Sequence, residues 1–245
     1  GPLNNFILGI LTFILFFFLQ GGVPDVTTNQ VTVADGGALQ AAGVETGARI
    51  LEINGQAVSD YEDVSDILAQ VNENAKEAPV LNLLVEEEGK EKTLQVTTIK
   101  DQGYFRLGVS PYLKTGFAET IIGGFQEAGA TALLIVNALK NIIASFDVKQ
   151  LGGPVAIYNV SSQAAEGGIL PVLRLLAMLS INLGIFNLIP IPALDGGKIL
   201  INLIEAIRRK PLKQETESYI TLVGVAIMVI LMLVVTWNDI MRVFF

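Results

Sequence analysis

No charged residue occurs between Leu175 and Leu194, between Gly1 and Pro24, or between Ser218 and Asn238. Each run is close to the roughly 20 apolar residues that cross a bilayer core. At that depth the backbone must satisfy its own hydrogen bonds, which confines such runs to helix. Charged residues make up 16% of the chain and hydrophobic residues 51%, against about 25% charged in soluble domains. The prediction is a multi-pass helical protein of the cell membrane. The first run does not read as a secretory leader, with no basic residue ahead of the apolar stretch Phe6–Leu19 and no clear small-residue cleavage pattern after it. With no cysteine in the chain, disulfides and thiolate metal sites are excluded. Histidine is absent too.

Charge is segregated along the chain. Residues 25–103 carry 15 acidic and 5 basic side chains, a net of −10, and the remainder carries 9 and 11, a net of +2, which together give −8. An acidic soluble insert therefore interrupts a mildly basic membrane protein, and so acidic an insert excludes nucleic acid as a partner. Arg208, Arg209, Lys210 and Lys213 cluster between the second and third runs. Cytoplasmic loops carry the excess of Lys and Arg, so this loop is predicted to be cytoplasmic, with the insert extracytoplasmic. The expected division is a span over 1–22, an extracytoplasmic domain over 23–103 and a membrane-surface region over 104–168. A broken span with a following helix occupies 169–210, and a cytoplasmic loop with the last span occupies 211–245.

Within the insert, Arg49–Ile53 reads as a strand followed by the tight-turn dipeptide Asn54-Gly55. Ser59 and Glu62 fit a capping box ahead of Tyr61, Val64, Ile67, Leu68 and Val71, which recur at helical spacing. Val80–Val85 and Thr93–Ile99 read as strands around a charged tip at Glu86–Lys90. In the next region the uncharged stretch Ala128–Leu139 is too short to cross. With Phe117, Ile121, Ile122 and Phe125 nearby it is expected to form helices lying on the membrane surface. Leu151-Gly152-Gly153-Pro154 reads as a turn leading into a new helix, with Pro154 at its first position.

The second uncharged run ends in Asn187-Leu188-Ile189-Pro190-Ile191-Pro192-Ala193-Leu194-Asp195-Gly196-Gly197. A proline inside a helix deletes a hydrogen bond and frees a carbonyl, which at membrane depth is tolerated only inside protein or beside a wet cavity. Asp195 follows at the edge of the span, near the cytoplasmic face. An ionisable residue there is a functional-site hypothesis. It is equally a candidate N-cap for a helix from about Gly197 to Ile207, and both alternatives stay open.

Gly37–Gly55, with Ala42-Gly43, Gly47-Ala48 and Ile50-Leu51-Glu52-Ile53-Asn54-Gly55, resembles the signature of bacterial protease-type PDZ domains, with Ala48 in place of the usual acidic residue. The fold class expected is thus a multi-span α-helical membrane protein with an inserted small α/β PDZ domain. PDZ domains bind extended peptides by adding a strand to a sheet edge; a domain that only restricts access sterically is the other alternative.

The whole order of elements resembles the site-2 protease family of intramembrane zinc metalloproteases in its PDZ-containing bacterial form. Asn187, Pro190, Pro192 and Asp195 match that family's Asn-x-x-Pro-x-Pro-x-x-Asp-Gly motif, with Gly196 as its glycine. Gly1, Pro2 and Asn5 match the Gly-Pro-x-x-Asn opening its second span, and Gly153 and Pro154 match its Gly-Pro turn. The resemblance implies hydrolysis of peptide bonds within the membrane. Zn2+ is then held by two histidines of a His-Glu-x-x-His helix and by Asp195, with Asn187, Pro190 and Pro192 positioning the substrate. Three protein ligands leave room for an activated water. This chain has no His-Glu-x-x-His, so the expectation is an N-terminally truncated protein, inactive alone, whose intact form is the protease. Implied substrates are pre-trimmed single-span proteins or remnant signal peptides. The competing class is a non-catalytic, membrane-anchored PDZ scaffold. A transporter with a broken-helix site is disfavoured, since the chain shows no internal repeat.

Overall fold

A computed structural model describes residues 1–101, 103–145 and 152–244. In chain order the elements begin with α1 (Pro2–Gln20), β1 (Val23–Asp25), β2 (Val31–Val33), α2 (Ala38–Ala41), β3 (Arg49–Ile53), β4 (Gln56–Ala57) and α3 (Tyr61–Asn74). Then come β5 (Val80–Glu87), β6 (Lys90–Thr97), β7 (Ile99–Asp101), β8 (Tyr104–Arg106) and β9 (Val109–Lys114). Five helices complete the chain: α4 (Phe117–Ser145), α5 (Pro154–Glu166), α6 (Ile169–Leu188), α7 (Asp195–Arg208) and α8 (Gln214–Phe244). They form two compact units, a helical one of residues 1–20 and 120–245 and an α/β one of residues 21–119.

Among the described residues four helices are long and apolar enough to cross a membrane: α1, α4, α6 and α8. In the helical unit α1 and α6 run antiparallel. A Cβ added at Gly9 would lie 2.6 Å from Ile181 Cδ1, and one at Gly184 would lie 3.2 Å from the Phe6 ring, so rising numbers on one helix meet falling numbers on the other. Phe13, Ala177 and Ile181 are buried between them. Small residues let helix backbones approach where lipid removes the hydrophobic drive for association. α4 joins the same bundle. Gly124 faces the Ile14 backbone, while Ala132 and Val136 share an apolar cleft with Phe6 and Ile185.

The expectation of surface helices over 104–168 meets a different arrangement. Residues 117–145 form one continuous helix of 29 residues. The charge-free stretch looked short because Glu127 interrupts it, but that carboxylate faces Arg174 of α6 at 3.5 Å. Pro154 opens α5, with Gly153 as N-cap, as its position before a helix predicts. Leu151 of the proposed turn lies outside the described residues.

The α/β unit continues to Glu119 rather than ending at 103, because β9 lies between β1 and β2 in a three-stranded sheet. A second sheet has the order β4-β3-β5-β6. Leu81, Leu83 and Val85 of β5 are buried in alternation, as a strand with one covered face requires. With Val31, Leu39, Ile50, Ile53 and Val64 they form one apolar core. Asn54 and Gly55, at φ 51° and 78°, turn β3 into β4 with the handedness that tight hairpins favour. The cap of α3 sits one residue later than expected. Asp60 accepts from the Asp63 N–H at 3.1 Å, and the Asp63 carboxylate accepts from the Ser59 N–H at 2.8 Å. A carboxylate at 60 satisfies the N3 amide as well as a hydroxyl at 59 would have.

Candidate functional site

The break after α6 follows from its two prolines. The Ile189 N–H bonds the Phe186 carbonyl at 3.1 Å, the Ile191 N–H folds back to the Ile189 carbonyl at 2.7 Å, and the Leu194 N–H reaches the Ile191 carbonyl at 2.9 Å. Pro190 and Pro192 have no N–H to give, so the ladder stops and the chain turns through Ile189–Leu194 into α7.

Asp195 is the first residue of α7, not its N-cap. That position belongs to Leu194, and no side chain caps the helix. The structure thereby removes the cap alternative for Asp195. Asp195 is half-buried, and among the described residues it forms no ion pair. The N-terminal end of a helix favours a negative charge. A Cβ on Gly1 would lie 3.6 Å from Asp195 Oδ2, so the opening of α1 stands beside the carboxylate. Asn187, in the last turn of α6, is also half-buried.

The glycines after Asp195 are required by packing. Gly196 and Gly197 are buried. A Cβ on Gly196 would collide with the Leu188 and Ile189 carbonyls, and one on Gly197 would lie 2.6 Å from Pro192 Cα. From the other side α8 presses Gly224 onto the same loop, where a Cβ would fall 2.8 Å from the Ala193 nitrogen. The proline loop is therefore held between backbone surfaces of α7 and α8. Gly153 and Pro154 lie elsewhere, at the start of α5, where the Ala156 N–H donates to Asp239 Oδ2 of α8 at 3.0 Å. Of the residues singled out from sequence, Gly1, Asn187, Pro190, Pro192, Asp195 and Gly196 thus belong to one end of the α1–α6 pair. Asn5 is on the same helix half as Gly1, and the Gly-Pro turn is separate.

As a metal site the chain by itself does not suffice. Among the described residues no group of three histidines, cysteines or carboxylates comes together, and Asp195 supplies a single carboxylate.

A second feature lies in the α/β unit, a groove of about 750 Å³ between α3 and the segment Phe105–Ser110. Its floor and mouth include Leu68, Ala69 and Leu107. Two side chains of α3 reach across it. Tyr61 donates its hydroxyl to the Val109 carbonyl at 3.0 Å. Asn72 accepts from the Phe105 N–H at 2.6 Å and donates to the Phe105 carbonyl at 2.9 Å. Burial pushes the Tyr61 phenol above its ordinary range, keeping it a neutral donor. Sequence periodicity had marked Tyr61 only as one of an apolar stripe.

The profile of Peptidase family M50 matches residues 1–231. The chain belongs to that family. It is 53% identical over 245 residues to a Streptococcus pyogenes protein named "Putative zinc metalloprotease", covering 100% of this chain and 58% of that protein. It is 50% identical over 244 residues to a Lactococcus lactis protein of the same description, covering 56% of it. It is 44% identical over 250 residues to "Probable protease eep" of Enterococcus faecalis, covering 58% of it. The chain thus spans somewhat over half the length of these relatives. Among solved structures, the PDZ domain of the SdrC-like protein of Listeria monocytogenes is similar over 36% of this chain and 92% of its own, with 20% identity and a TM-score of 0.29.

Proposed function

We propose that the full-length protein is an intramembrane zinc metalloendopeptidase in which Asp195 is one of the metal ligands. The observation that carries this is the uncapped, half-buried carboxylate of Asp195 at the first position of α7, beside a proline-broken backbone, in an M50 chain. The remaining ligands and the general base come from a part of the protein outside this chain, since histidine is absent here. The proline loop presents backbone carbonyls, and Asn187 an amide, to a substrate strand drawn alongside. The substrates are membrane-embedded segments of single-span proteins already trimmed outside the membrane, or remnant signal peptides. Bilayer lipid surrounds the helical unit.

The sidedness we infer puts the Asp195 end in the cytoplasm and the α/β unit outside. Arg208 closes α7 and Arg209, Lys210 and Lys213 follow it, and such clusters stay cytoplasmic. The antiparallel packing of α1 and α6 supports this reading, since it brings Gly1 and the proline loop to one end of the pair. The groove of the α/β unit is the site for an extended peptide.

The test is the zinc content and cleavage activity of the full-length protein beside its Asp195→Ala variant. About one zinc per chain, with cleavage of a membrane-span substrate lost in the variant, is the expected result. Equal cleavage by both would remove Asp195 from the site, whereas no zinc and no cleavage in either form would favour the non-catalytic PDZ scaffold.

A further inference from the structure

The groove of the α/β unit is bordered by one edge of β9, and the hydrogen bonds of that strand fix which residues face it. The Ala34 N–H donates to the Gly108 carbonyl at 2.8 Å, and the Tyr112 N–H to the Gln30 carbonyl at 3.2 Å. Gly108 and Tyr112 therefore point toward the β2 side. In an extended strand successive residues point to opposite edges, so Val109 and Pro111 face α3, as the Tyr61 bond to the Val109 carbonyl confirms. From Tyr112 onward the same edge is covered by β1, with Pro24 opposite Leu113.

An added strand would need four backbone groups here: the N–H and C=O of residues 109 and 111. Proline at 111 has no N–H. The Val109 carbonyl already accepts from Tyr61, and the Pro111 carbonyl is approached by Thr32 Oγ1 at 3.3 Å. What remains is the Val109 N–H. Asn72 meanwhile ties the far end of the groove to Phe105, so α3 is bridged to the opposite wall at both ends.

We propose that Tyr61 is a latch on this groove: its hydroxyl occupies the carbonyl that a peptide strand must bond, and a peptide enters only by displacing it. The inference rests on the groove being a peptide site. The phenol is a substitute for the ligand's own N–H, which keeps the resting edge satisfied and makes binding of extended peptides weak and exchangeable. Pro111 acts with it by leaving the Val109 N–H as the sole backbone donor of residues 109 and 111 that an incoming strand could use.

The experiment uses the whole chain in detergent micelles and a fluorescein-labelled hexapeptide of alternating valine and serine with a free carboxylate, followed by fluorescence anisotropy. Tyr61→Phe keeps the ring and drops the hydroxyl. It is expected to tighten binding about fivefold, which corresponds to one net hydrogen bond of ~1 kcal/mol. Pro111→Ala is expected to tighten it independently by restoring an N–H, and guards against a Tyr61 variant that fails to fold. Ala69→Arg, on the exposed face of α3 in the groove, is expected to abolish binding in every background. Equal affinities for wild type, Tyr61→Phe and Pro111→Ala, all lost with Ala69→Arg, overturn the latch while leaving the groove a peptide site. Absence of binding in all forms, or binding indifferent to Ala69→Arg, overturns the peptide site and the latch with it.

Discussion

The two units weight glycine differently: turns prevail in the α/β unit, although Gly37 and Gly108 meet there backbone to backbone, and close approach prevails in the helical unit, although Gly168 serves a turn. In the α/β unit Gly43, Gly55 and Gly89 sit at positive φ with open space where a Cβ would be; they serve turns. In the helical unit Gly9, Gly124, Gly196 and Gly224 face a neighbouring helix or loop at distances no Cβ could tolerate, and none of them is among the positive-φ glycines. The difference follows from the solvent. The α/β unit excludes water by burying large side chains such as Leu83, Ile50 and Ile53 at 0% exposure. The helical unit turns Leu11, Leu133, Leu222 and Leu233 outward. It is held by close backbone approach, because lipid gives those side chains no reason to leave it.

The largest effect should come from breaking that approach at the proline loop. Gly197→Ala has only backbone to push against, at Ile191 and Pro192. Overpacking of this kind is expected to cost about 3 kcal/mol and to displace the start of α7. In the full-length protein, cleavage should fall together with the thermal midpoint in detergent. Asp195→Ala should lose cleavage at an unchanged midpoint. If both variants behave alike, the separation of site chemistry from site packing fails. The same size of effect in the other unit needs a different change. Leu83→Ala empties a fully buried position and should cost about 3 kcal/mol through lost burial and a residual cavity. It should be seen as lowered denaturant resistance of the α/β unit, with hydrogen exchange in α1 and α6 unaltered.

A smaller effect is expected where a charge, rather than a glycine, joins helices. Asp239 is 3% exposed and caps the first turn of α5 from α8; Gly153 has no side chain because Oδ2 would lie 2.8 Å from its Cβ. Asp239→Ala removes the acceptor and should cost about 1–2 kcal/mol, the worth of an N-cap. Asp239→Asn keeps an oxygen in place and should retain most of it. Amide exchange at Ala156 reads the difference directly.

These contrasts also explain what could be read from sequence. The spans, the β5–β6 hairpin, the Asn54-Gly55 turn and the break at Pro190 and Pro192 are local consequences of residue order, and each is legible in one stretch. Asp195 was visible as the lone carboxylate after an uncharged run, although its place at the first helical position rather than the cap depended on how tightly Gly196 docks. The rest is pairing at a distance. Glu127 made α4 look too short until Arg174 met it. β9 looked like membrane-surface sequence until β1 and β2 flanked it. Tyr61, Asn72 and Asp239 act on backbone groups 48, 33 and 83 residues away, where no spacing rule reaches.

The smallest effect sharpens the electrostatic side of the comparison. In the α/β unit Asp25 is 7% exposed. Burial pushes its carboxyl up, but the Thr27 hydroxyl, the Lys114 ammonium at 2.9 Å and the Thr27 N–H outweigh it, and the net direction is down. A carboxylate whose pKa is depressed on folding contributes stability above its unfolded value, here 3.8, and loses it as pH falls through the folded-state value. Asp25→Asn keeps the shape and drops the charge. It should lower stability by about 1 kcal/mol at pH 7, and the gap to wild type should shrink as the medium is acidified below pH 3.8. Because Lys114 is half-exposed, raising ionic strength should narrow the same gap. A gap that stays constant from neutral to acid pH would mean that Asp25 acts through its hydrogen-bonding shape alone, with Lys114 adding nothing.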